Sequence, residues 1–80
     1  MTRDAFVRDT TEWLNRRLAP PGVTILPDTP LFEGGLIDSI RILRLIAWTE
    51  KALGRRIPDE HIRMDHFRDV ECIARTFLES

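Results

Sequence analysis

The strongest constraint on this chain is a stretch of twenty residues, Ala19 to Asp38, that holds four prolines and three glycines between two segments with helical apolar spacing. Proline removes a backbone donor and fixes φ, and glycine loosens the chain, so neither a helix nor a strand ladder can run through it. The stretch therefore predicts a long connection, pinned at intervals by Ile25, Leu26, Leu31 and Phe32. A loop of this length is uncommon in a small compact domain unless it has a role. Before it, Phe6, Thr10, Trp13, Leu14 and Leu18 recur every three or four residues, which predicts an amphipathic helix from about residue 3 to 18, ended by Pro20-Pro21-Gly22.

After the loop, a second helix is expected from Ser39 to about Leu53, with Gly54 in the position of a C-terminal cap. Its apolar content is too wide for one stripe. Ile42, Leu45, Ile46, Thr49 and Leu53 make one face, while Ile40, Leu43, Ala47 and Trp48 lie largely to the other side and could add to the core. Pro58 can open a short helix at Asp59-Glu60-His61-Ile62, and Asp69 can cap a last helix whose inward residues are Val70, Ile73, Ala74 and Phe77. With no repeat and no β alternation, the expectation is an all-α fold: a small bundle of three main helices plus one short helix, with a long first loop. Eighty residues, 42% apolar and 31% charged, suit one globular domain, 1–80, too small for a catalytic cleft.

Asp38-Ser39-Ile40 stands where the loop meets the second helix. Asp38 there reads as an N-cap. The following N–H groups and the helix dipole make the helix start a favourable place for a phosphate on the Ser39 hydroxyl. Gly34 and Gly35 allow the chain to turn tightly just before it.

From Asp28 to Phe77, about two thirds of the chain, the sequence resembles the acyl and peptidyl carrier proteins. The resemblance rests on Leu31-Phe32, Gly34-Gly35 and Asp38-Ser39-Ile40 in that order, with Ile where the family usually has Leu. Ile57-Pro58-Asp59-Glu60 follows, then Phe67, Val70, Ile73 and Ala74 in a Phe-x-x-Val-x-x-Ile-Ala pattern. No single element is specific; the joint order is. The resemblance implies an acyl-carrier-like bundle whose long first loop leads to Ser39. It also implies that Ser39 carries 4'-phosphopantetheine, taken from coenzyme A, with Asp38 either a plain cap or part of the surface read by the phosphopantetheinyl transferase. Further implied partners are an acyl- or aminoacyl-loading ligase and downstream biosynthetic enzymes, and the chain itself would be a carrier rather than an enzyme.

Unlike the acidic second helix of the fatty-acid type, the segment from Asp38 to Leu53 has three basic residues, Arg41, Arg44 and Lys51, against two acidic ones, Asp38 and Glu50. Such charges exclude partners that grip an acidic helix, so dedicated partners are expected at a surface made of Asp38, Ile40, Arg41, Arg44, Ala47 and Trp48. The plainer alternative is that the arginines form a solvated face.

A formal net charge of −1 gives no basic footprint for nucleic acid. No apolar stretch is long enough to span a bilayer. Single Cys72, and the lack of an N-terminal apolar run of the signal-peptide kind, make a cytoplasmic monomer the default. His61 and His66, five residues apart without a cysteine pair, do not suggest a metal site. A Ser39–His61–Asp38 nucleophile is disfavoured, because adjacent residues at a helix start seldom converge in that geometry. Two readings stand: a free-standing carrier of acyl or aminoacyl thioesters, and an unmodified helical interaction module that uses the helix-two surface.

Overall fold

The computed structural model describes residues 2–78. They form three α-helices, α1 (Arg3–Arg17), α2 (Arg41–Leu53) and α3 (Val70–Leu78), with one-turn 3-10 segments at Glu33–Gly35, Asp59–His61 and Met64–Phe67. No strand occurs among the described residues, and no helix there is long and apolar enough to cross a membrane. The expected all-α bundle is what the sequence builds. One short helix was expected after α2, at Asp59–Ile62. Two 3-10 turns stand in that region, because Ile62 and Arg63 leave helical geometry before Met64 starts the second.

Each helix is closed by its own side chains or by a glycine. The Thr2 hydroxyl accepts the Ala5 N–H at 3.2 Å to open α1. Gly54 ends α2 at φ +72°, the left-handed region that only glycine enters freely, and its N–H donates to the Glu50 carbonyl. Asp69 Oδ1 accepts the Cys72 N–H at 2.7 Å and opens α3, as the sequence predicts.

The core gathers one face of every helix: Phe6 and Leu14 from α1 with Leu18 at its C-cap, Leu45 and Ile46 from α2, Val70, Ile73 and Ala74 from α3. Phe77 lies half-buried at its edge. Two threonines inside it are hydrogen-bonded, one within its own helix and one across helices. Thr49 Oγ1 donates back to the Leu45 carbonyl at 2.8 Å, and Thr10 Oγ1 accepts the Trp48 indole N–H at 2.9 Å. Trp48 also stacks on Trp13, ring centroids 4.9 Å apart, so it joins α2 to α1.

The long loop is tied down at three places. Asn15 of α1 donates to the Ile25 carbonyl at 2.8 Å and accepts the Ile25 N–H at 2.7 Å. The Pro27 carbonyl then accepts from Glu71, and Leu31 N–H donates to the Arg68 carbonyl at 2.8 Å. Ile25 and Leu31 are buried as expected, but Leu26 is 56% exposed: with Ile25 pointing inward beside Asn15, its neighbour faces solvent. Ile37 supplies the missing anchor at 3% exposed, with its N–H donating to the Leu31 carbonyl.

Asn15→Ala removes both hydrogen bonds to Ile25 and leaves that backbone pair unmatched. The expected loss is roughly 1–2 kcal/mol of unfolding free energy in urea titration, with the helical circular dichroism of the folded state unchanged.

Candidate functional site

The loop delivers the chain to α2 through a closed sequence of local constraints. Gly35 takes φ +74°, a conformation that a side chain would strain. Ile37 then turns inward, and Asp38, Ser39 and Ile40 follow as an exposed turn. The regular helix starts at Arg41, two residues later than the expected Ser39. Cap geometry explains the difference. Asp38 Oδ1 accepts the N–H groups of both Ile40, at 3.0 Å, and Arg41, at 2.8 Å, and the Asp38 carbonyl accepts from Ile42. Asp38 is thus the effective N-cap, with Ser39 at the first position after it.

This arrangement corrects one part of the sequence reading. The helix N–H groups expected to welcome a phosphate are already occupied by Asp38. The Arg41 N–H bond is the main cause that holds the Asp38 carboxyl below the usual aspartate range, with the Ile40 N–H and the Arg41 charge adding to it against a desolvation effect. What remains at Ser39 is an exposed hydroxyl that makes no hydrogen bond to another of the described residues.

Ser39 opens onto a groove of about 460 Å³. Ile42, Leu43 and Ile46 of α2 form one wall, and Ile62, Met64 and Phe67 form the other. Asp38, Ser39 and Arg63 are the polar residues on its lining. The groove is therefore an apolar trough with a hydroxyl and two opposite charges.

The other predicted surface residues divide between two sides. Ile40 is 73% exposed, and Arg44 and Ala47 are exposed with it. Arg41 is half-buried, with Nη1 3.5 Å from the Leu36 carbonyl. Trp48 is half-buried against α1 and does not line the Ser39 groove. Spacing alone allowed it either side; the Thr10 hydroxyl and the Trp13 ring draw it to α1.

The family described as phosphopantetheine attachment site matches residues 11–76, which include Ser39 and the whole groove. The chain belongs to the phosphopantetheine attachment site family. No curated protein matches it at a significant level. Members of the phosphopantetheine attachment site family hold 4'-phosphopantetheine covalently, and the residues present fit such a group: an unbonded hydroxyl, outside the packed core, beside an apolar trough. The family's domains act as carriers and as substrates of phosphopantetheinyl transferases rather than as catalysts.

Other candidate chemistry is accounted for by backbone contacts. Buried Cys72 donates through Sγ to the Asp65 carbonyl at 3.0 Å, and His66 Nδ1 donates to the His61 carbonyl at 2.8 Å. Among the described residues no group of three or more His, Cys, Asp or Glu is placed to hold a metal ion. Sequence reasoning missed Arg63 and Met64 as groove residues, because the irregular segment between two short turns has no period from which their facing could be read.

Asp38→Ala should lower the thermal midpoint at pH 7, with a gap to the wild type that depends on pH. Because folding depresses the Asp38 pKa, its ionised form stabilises the fold above the unfolded value of about 3.9 and that contribution is lost as pH falls through the folded value. Melting curves from pH 7 down to pH 2.5 should show the gap narrowing only in the acid range.

Proposed function

We propose that this chain is a carrier domain whose Ser39 Oγ bears the 4'-phosphopantetheine arm. The observation that carries this reading is the placement of Ser39. Within the family match, it is an exposed hydroxyl, free of internal hydrogen bonds, at the mouth of an apolar groove. Attachment is a displacement on coenzyme A: a bond forms from Ser39 Oγ to phosphorus, the pyrophosphate bond breaks, adenosine 3',5'-bisphosphate leaves, and the hydroxyl proton passes to the transferase. When bound, the arm supplies a terminal thiol that holds acyl or aminoacyl cargo as a thioester.

The chain's own residues position and expose. Asp38 fixes the turn, Gly35 lets the loop enter it, and the Leu43 side of α2 offers apolar surface beside the arm. Docking falls to the surface of Ile40, Leu43, Arg44 and Ala47, with Arg41 and Asp38 at its near end and Trp48 at its α1 edge. Apolar anchors inside a charged rim are the usual composition of an interface centre. The arginines select a loading enzyme and downstream biosynthetic enzymes with acidic docking sites over partners that grip an acidic helix. The lone buried thiol of Cys72 suits the reducing cytoplasm.

Exposed Ile40, Leu43 and Met64 favour, as a second reading, an unmodified interaction module that binds a partner through the same face. Intact mass spectrometry separates the two. Incubation with coenzyme A and a broad-specificity phosphopantetheinyl transferase should add one phosphopantetheinyl group to the wild type and none to Ser39→Ala; a folded protein that gains no mass supports the interaction module.

Arg44→Glu should leave the fold intact and lower kcat/KM for loading by the cognate ligase roughly three- to tenfold, with the difference shrinking at high salt as exposed charges are screened. Steady-state loading assays at two ionic strengths measure both.

A further inference from the structure

The groove beside Ser39 holds one basic residue, Arg63, on the wall opposite α2. Its main chain is fixed on both sides. Just before it, Ile62 donates to the Asp59 carbonyl at 3.0 Å and packs half-buried on the core; just after it, the Arg63 carbonyl accepts the His66 N–H at 3.0 Å. Its side chain is exposed and makes no ion pair among the described residues. Arg63 thus carries an uncommitted guanidinium on a fixed backbone, on the lining of the groove that Ser39 shares.

The charge balance at Ser39 gives that cation a use. A phosphodiester there adds a negative charge one residue from the Asp38 carboxylate. Asp38 has already taken the Ile40 and Arg41 N–H groups, and the Arg41 charge acts on Asp38. The helix start therefore has few donors left for a second anion.

We propose that Arg63 is a binding residue for the phosphodiester on Ser39, reaching across the mouth of the groove to pair with its non-bridging oxygens. Guanidinium is suited to this, since its planar fork donates two parallel hydrogen bonds to a phosphate. The pair holds the start of the arm over the apolar trough and joins the Ile62–Phe67 wall to the Ser39 turn. This inference rests on the Ser39 reading.

The test compares the apo protein with protein that has received 4'-phosphopantetheine from coenzyme A, each verified by intact mass, using ¹⁵N-labelled arginine side chains and ³¹P NMR. In the modified protein the Arg63 Nε–Hε signal should shift away from its apo position, while those of Arg44 and Arg68 stay. In about 1 M salt, where the Debye length falls to roughly 3 Å, it should move back. Modified Arg63→Gln should show a ³¹P resonance displaced from the wild-type position and insensitive to salt, and Arg63→Lys should restore part of the salt dependence. An Arg63 signal that does not move on modification, or a shift confined to Arg41, overturns the proposal while the mass gain leaves the Ser39 reading standing. Absence of any mass gain removes both.

Discussion

Everything in this small fold depends on how the twenty-residue connection between α1 and α2 is held. Prolines and glycines leave it unable to satisfy its backbone within itself, so the helices do it instead. Asn15 brackets Ile25, Glu71 of α3 holds the loop at Pro27 and Arg68 just before α3 holds it at Leu31, and Leu31 in turn receives Ile37. The last of these bonds sits two residues before Ser39. The position of the candidate site is thus a consequence of where α1 and α3 pack, although neither helix contributes a residue to it.

The Asp38–Ser39 pair divides two tasks that a helix start offers together. Asp38 spends its carboxylate on the Ile40 and Arg41 N–H groups and fixes the entry into α2. Ser39 is left with an exposed hydroxyl. A serine doing the capping would have its oxygen committed to a backbone N–H; with aspartate in that position, the hydroxyl is available to a modifying enzyme. The cost is electrostatic, since the cap carries the same sign of charge as a phosphodiester, and the proposed pairing with Arg63 offsets it.

The helices were legible because their information is local. Of the predicted face, Phe6, Thr10 and Leu14 are the buried stripe of α1, Leu18 is buried at its C-cap and Trp13 is half-buried, and Gly54 and Asp69 end and begin helices as their chemistry predicts. The resemblance that singles out Ser39 is local in the same way, resting on the order of short motifs around it. Long-range matching was hidden. Nothing in the sequence marks Asn15 as the partner of Ile25, ten residues away, or tells that Trp48 turns to Thr10 and Trp13 rather than outward. Leu26 and Arg63 lie in irregular backbone, where facing alternates without a period and only the surrounding contacts decide it.

The central claim, that Ser39 is the residue bearing the arm, is tested most directly by locating the modification within the chain. Trypsin releases Leu18–Arg41 as one peptide, with Thr24, Thr29 and Ser39 as its hydroxyl side chains; the chain's other serine is Ser80. Fragmentation of that peptide from modified protein should place the phosphopantetheinyl mass on Ser39. Its assignment to Thr24, Thr29 or another peptide would contradict the account.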